Sequence, residues 1–143
     1  MILRSRLARA AAVAALGVAL ASGVAGCSGS TGSSAHATTQ SLDPQAFAAR
    51  ASEPGVVILD VRTPEEFATG HLPGAINIDV ESGSFTDQVA SLDKTATYAV
   101  YCRSGNRSAV AMDQMAGEGF TDLADLAGGI TAWAQAGGAI VTN

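Results

Sequence analysis

Tyr98-Ala99-Val100-Tyr101-Cys102-Arg103-Ser104-Gly105-Asn106-Arg107-Ser108 is the stretch that decides the fold. Its first four residues are a continuous apolar run, the pattern of a strand buried on both faces in a parallel sheet. Small and polar residues then break the run, and a helical pattern starts at Asn106. Strand, short glycine-containing loop and helix, in that order, put Cys102 at a strand's carboxyl end and beneath a helix N-terminus. Backbone N–H groups in such a turn converge on one centre and favour negative charge there. A thiol at that centre ionises near neutral pH, which makes Cys102 a candidate nucleophile. Arg103 and Arg107 add positive charge, and the same centre suits an oxyanion. Gly105 lets the loop close where a side chain would not fit. The competing view is an inert core cysteine at a strand end. Ser104, Gly105 and Asn106 favour a loop over core, and Arg103 and Arg107 are out of place in an apolar pocket.

Similar segments lie to either side. Val56-Val57-Ile58-Leu59, closed by Asp60, reads as a second buried strand. Ala75 to Ile78 and Leu123 to Leu126 are shorter candidates, and Thr38-Thr39 starts a weak first strand. Between them, Ser41 or Asp43 can cap a helix that has Pro44 in its first turn and runs to Ala51. Thr63-Pro64-Glu65-Glu66-Phe67 has a cap, an early proline and acids in the first turn, and Gly70 stops it. Residues 84–91 suggest a short helix. Asn106 to Gly117 is expected to present Ala109, Met112 and Ala116 along one face, and Ile130 to Gln135 with Trp133 forms the last helix. Strands alternating with helices define an α/β fold with an open, mostly parallel sheet. Ligands of such sheets bind beyond the carboxyl ends of the strands, where Asp60 and Cys102 both lie.

The N-terminal quarter has another character. Arg4, Arg6 and Arg9 precede the uncharged apolar stretch Ala10 to Leu20, the architecture of a signal peptide and too short for a permanent span. It ends in Val24-Ala25-Gly26-Cys27, which resembles the lipobox of bacterial lipoproteins. That resemblance implies removal of residues 1–26, a diacylglycerol on Cys27, and a protein held at the extracytoplasmic face of the cell membrane. Each buried methylene of the acyl chains contributes roughly 0.8 kcal/mol. The lipidated cysteine and a Ser-, Gly- and Thr-rich tether fill residues 27–40, and the folded domain is expected over 41–143. His36, alone in the tether, is expected to be solvated. Beyond residue 26 there are five Lys and Arg against all thirteen Asp and Glu, a net charge of −8. So acidic a body does not wrap nucleic acid, and it meets the membrane only through its lipid. An anionic substrate needs a local positive site. With 48% hydrophobic residues the chain can bury one core. Cys27 and Cys102 stand too far apart in sequence and surroundings to form a disulfide framework.

Five motifs in register resemble the rhodanese family over most of residues 38–140. Asp60-Val61-Arg62 with Glu66-Phe67 matches one, and Gly70-His71-Leu72-Pro73-Gly74-Ala75-Ile76-Asn77 a second. Cys102 to Arg107 is similar to the active-site loop of the family. Gly119-Phe120, and Leu126-Ala127-Gly128-Gly129 with Trp133, are similar to its closing pattern. The resemblance implies a rhodanese-like sheet of about five strands flanked by helices. It also implies sulfur transfer through a Cys102 persulfide, from a small anion such as thiosulfate to cyanide, a thiol or a protein acceptor. Arg103, Ser104, Gly105, Asn106 and Arg107 would cradle the bound group through their amides. Phosphatases on this kind of fold place five residues between cysteine and arginine; here four separate Cys102 from Arg107, which favours sulfur over phosphate.

Other residues take supporting roles. Asp60 and Arg62 are expected to form a buried pair bracing neighbouring loops. His71 is expected to fix a turn, and Phe120 and Trp133 to belong to the core. No His, Cys or carboxylate pair has metal-ligand spacing, and no nucleotide-type phosphate loop is present, so no metal or cofactor is expected. A proline usual near the family's C-terminus is replaced by Gly137-Gly138-Ala139-Ile140. Three functions fit: a sulfurtransferase, an envelope sulfur carrier, or a non-catalytic interaction module. The intact cysteine loop speaks against the last.

Overall fold

The computed structural model describes residues 37–142. Cys27 and the proposed signal and tether, together with His36, lie outside them. Ten elements alternate along the chain: β1 (Thr38–Leu42), α1 (Pro44–Ala51), β2 (Val57–Asp60), α2 (Pro64–Ala68), β3 (Ile76–Asn77), α3 (Phe85–Ala90), β4 (Thr97–Tyr101), α4 (Asn106–Gly117), β5 (Asp122–Leu126) and α5 (Gly129–Gln135). The five strands make one open, all-parallel sheet in the order β1-β5-β4-β2-β3. The Tyr98–Ser108 stretch therefore supplies the central strand.

Local chemistry starts the first two helices where the sequence suggested. Asp43 accepts from the Ala46 N–H at 2.8 Å with Pro44 in the first turn of α1. Thr63 and Glu66 form a reciprocal capping box at α2.

Alternation along β4 divides the core. Tyr98, Val100 and then Cys102 face one side, packing with Leu59, Met112, Met115, Phe120 and Leu123. Ala99 and Tyr101 face the other, with Phe47, Leu72 and Leu126. Complete burial of each large side chain contributes about 1.5–3 kcal/mol.

Four expectations are adjusted. β1 is a five-residue strand, so residues 38–40 belong to the sheet and not to the tether. The strand foreseen over 75–78 shrinks to Ile76–Asn77, because β3 is an edge strand that β2 pairs at two positions only. α4 buries Ser108, Ala111, Met112 and Met115, one step round from the Ala109 and Ala116 face. Trp133 is half-buried: its ring meets Phe47 edge-on, and its N–H reaches the Ala139 carbonyl at 2.9 Å. Phe120 is fully buried against Tyr98, as expected.

Candidate active site

Cys102 follows β4 directly, on the α4 side of the sheet. Its sulfur is enclosed by the turn that leads into α4. The Gly105 N–H points at Sγ from 3.1 Å, and Ser108 Oγ stands 3.6 Å away. The side chain is only 1% exposed. Burial pushes the Cys102 thiol up, but hydrogen bonds from Ser108 and the backbone N–H groups of Ser108, Ser104 and Gly105 outweigh it. The net shift is downward, toward thiolate.

The start of α5 grips the loop from behind. The Ile130 N–H donates to the Cys102 carbonyl at 2.9 Å, and Thr131 donates through N–H and hydroxyl to the Arg103 carbonyl at 3.3 and 3.0 Å. This approach requires glycine at 129. Its φ is +59°, and a Cβ there would sit 2.4 Å from the Cys102 carbonyl oxygen. The second glycine of the closing motif thus serves the cysteine loop directly.

The two loop arginines part company. Arg107 turns away from the sulfur and forms a two-pronged pair with Glu66, at 2.7 and 2.8 Å, plus a contact to Glu81 at 3.0 Å. That guanidinium holds the Glu66 carboxyl down at about 2, despite an opposing push from burial. The expected positive contribution of the Arg107 side chain to the sulfur pocket is therefore spent on neighbouring carboxylates. Arg103 is exposed, and among the described residues it is the cation without a carboxylate in salt-bridge reach. Ser104 and Asn106 are exposed beside it.

At the end of β2, Asp60 and Arg62 pair as expected. Arg62 Nη2 donates to Asp60 Oδ2 at 2.6 Å and to the Gly70 carbonyl at 2.7 Å. Asp60 is 0% exposed. The Arg62 guanidinium lies 5.6 Å from the Tyr101 ring centre, and the Tyr101 hydroxyl accepts from the Leu72 N–H at 3.1 Å. This cluster ties the Gly70–Ala75 turn to the central strand. His71 completes it structurally: Nδ1 meets the Phe67 carbonyl at 3.0 Å, and the ring stacks on Phe67 at 3.7 Å.

Two residues near the sulfur were not singled out from sequence, Ser108 and Asp125. Asp125 could have been found, as an acid between Ala124 and Leu126 in a strand read as buried. Among the described residues no group of His, Cys and carboxylates could hold a metal ion.

A strand-end cysteine inside a ring of N–H groups, on this sheet order, defines a class, and comparison with known proteins names it. The rhodanese-like domain model matches residues 43–136, and the chain belongs to that family. It is 40% identical over 89 residues to thiosulfate sulfurtransferase 16, chloroplastic, of Arabidopsis thaliana, covering 55% of this chain and 74% of that protein. It is 37% identical over 89 residues to thiosulfate sulfurtransferase GlpE of Pseudomonas putida, covering 62% and 78%. The crystal structure of a rhodanese-related protein from Thermoplasma volcanium superposes with a TM-score of 0.65 at 29% identity, over 73% of this chain and 99% of that one.

Proposed function

We propose that the protein is a sulfurtransferase in which Cys102 carries the sulfur. The observation that carries this is the Cys102 sulfur at the end of the central strand, hydrogen-bonded by the Gly105 N–H and 3.6 Å from Ser108 Oγ. Thiolate Sγ attacks the outer sulfur of thiosulfate or a similar donor. An S–S bond forms, the donor's S–S bond breaks, and sulfite leaves with the electron pair. Cyanide or a thiolate then attacks the outer sulfur of the persulfide, and Cys102 departs as thiolate. The loop amides stabilise the charge on the persulfide. Arg103 supplies the local attraction that an acidic domain otherwise denies to an anion.

The test is the mass of the Cys102 peptide from the full chain, before and after thiosulfate, with thiocyanate release on adding cyanide. A one-sulfur gain, discharged by cyanide and absent in Cys102→Ser, is expected. A folded, reduced sample that gains nothing from thiosulfate or polysulfide defeats the proposal. Discharge to a protein acceptor but not to cyanide or small thiols would mark a carrier instead.

Export and lipidation belong to the same proposal and rest on Val24-Ala25-Gly26-Cys27 following an apolar stretch. The mature protein is then anchored through Cys27 at the outer face of the membrane. Palmitate labelling in the bacterial host should mark the wild type and not Cys27→Ser; equal labelling of both removes the anchor.

A further inference from the structure

Asp125 is 4% exposed, and among the described residues no cation lies in salt-bridge reach of it. A buried carboxylate without a counter-charge is costly unless it is hydrogen-bonded. Its Oδ2 is 3.3 Å from Ser108 Oγ, and the Ser108 Oγ is in turn 3.6 Å from Cys102 Sγ and 3.0 Å from the Gly105 carbonyl oxygen. Alternation along β5 explains the placement. Asp125 shares the face of Leu123, the α4 side, and stands in register with Val100, two residues before the nucleophile.

A serine hydroxyl has one proton to give. While Cys102 is a thiol, its S–H can donate to Ser108 Oγ, and the hydroxyl proton serves Asp125 or Gly105. Once Cys102 is a thiolate, sulfur and carboxylate compete for that proton. We propose that Asp125 is a positioning residue for Cys102 that acts through Ser108, setting whether the hydroxyl proton points at the carboxylate or at the sulfur. The proposal deepens the sulfurtransferase reading, since it concerns the same sulfur.

The surroundings favour this link. Asp125 also borders an open recess of about 460 Å³, shared with Thr39, Gln40, Ser104, Asn106 and Met112. Water there can hydrogen-bond the carboxylate when the Ser108 proton turns away, since Thr39, Gln40 and Asn106 offer it further polar partners. Among the described residues lining the recess, β1 gives Thr39, Gln40 and Ser41 and α4 gives Asn106, Ala109 and Met112, none of them charged. Around the sulfur, Arg107 is turned to Glu66 and Glu81, Asp60 is matched by Arg62, and α5 offers backbone groups of Ile130 and Thr131 to the loop carbonyls. Arg103 is the remaining charge on the loop. In the discharge step the acceptor bonds the outer sulfur, the Sγ–S bond breaks, and its electron pair stays on Sγ. Ser108 then donates its hydrogen bond to the new thiolate.

The test is iodoacetamide alkylation of Cys102 in the full chain, read on its own peptide so that Cys27 does not count, from about pH 5 to about pH 10. In Asp125→Asn the amide can donate to Ser108 Oγ and free the hydroxyl for sulfur. The alkylation midpoint should fall, with the rate one pH unit below the wild-type midpoint rising about three- to tenfold. Ser108→Ala should raise the midpoint, and adding Asp125→Asn to it should change nothing further. Asp125→Ser repeats the reading if the Asn variant does not fold. An unmoved midpoint in a folded Asp125 variant overturns the proposal. So does an equal shift with and without Ser108, which would mean charge acting through space. Alkylation reports the thiol whatever the sulfur donor is, so failure here stays distinct from failure of sulfur loading.

Discussion

Two buried carboxylates stand near the carboxyl ends of the two strands that flank β4, and they are held in opposite ways. Asp60, at the end of β2, is locked by Arg62, which also reaches the Gly70 carbonyl. Asp125, near the end of β5, has a serine hydroxyl as its protein partner. The first arrangement fills every acceptor with a fixed donor and suits a brace. The second leaves one proton shared among three acceptors and suits a group whose hydrogen bond must change during a reaction. What separates structural from chemical acids here is how many ways their partner can point.

The largest effect should come from breaking the brace. Arg62→Met leaves Asp60 buried and unpaired, and urea unfolding should show a loss of about 3–5 kcal/mol. Asp125→Asn keeps shape and polarity and should cost about 1 kcal/mol or less. Equal losses would dissolve the distinction between the two sites.

Next is the grip of α5 on the cysteine loop. Gly129→Ala must hold an alanine at φ +59° with its Cβ 2.4 Å from the Cys102 carbonyl oxygen. A loss of about 2–3 kcal/mol is expected from the left-handed backbone and the displaced loop. Alkylation of Cys102 at neutral pH should slow as the Gly105 N–H leaves the sulfur. Unchanged alkylation in a destabilised protein would show that the sulfur pocket is carried by α4 alone.

A smaller effect falls on the substrate. Arg103→Gln should raise KM for thiosulfate about tenfold, equivalent to ~1.4 kcal/mol. Alkylation by neutral iodoacetamide should not change with it. If both change together, Arg103 shapes the loop and does not merely attract the anion.

Much of this was legible in the sequence because it is local. Asp43 and Thr63 cap their helices by contacts three residues long, and the apolar run before Cys102 fixes both strand and facing. What was missed depends on partners far along the chain. Arg107 reads as a free cation until Glu66, 41 residues away, is seen to hold it. Ser108 lies one residue past the loop motif, and its role needs β5. Asp125 hides in a strand whose apolar neighbours mark burial, while an acid by itself suggests solvent. The α4 face is off by a step because alanine fits a core and a surface equally well.

The smallest effect concerns the third carboxylate of this region, Glu66, whose pair with Arg107 ties α2 to the start of α4. Its side chain is 30% exposed and that of Arg107 is 22% exposed, so solvent screens the pair and it should contribute about 1 kcal/mol at most. The sign follows from the carboxyl being held at about 2, below its ordinary value of 4.5. Because the folded state binds this proton less readily, the contribution is complete above pH 4.5 and is lost as pH falls through about 2. Urea midpoints across that window should decline less steeply in Glu66→Gln than in the wild type, with the two converging at the acid end. An equal slope would mean that other carboxylates govern acid unfolding and that the Arg107 pair only orients the loop. A slope difference well above 1 kcal/mol would rank this partly exposed pair with the buried Asp60–Arg62 brace, and burial would no longer explain why one acid holds the fold and another serves the sulfur.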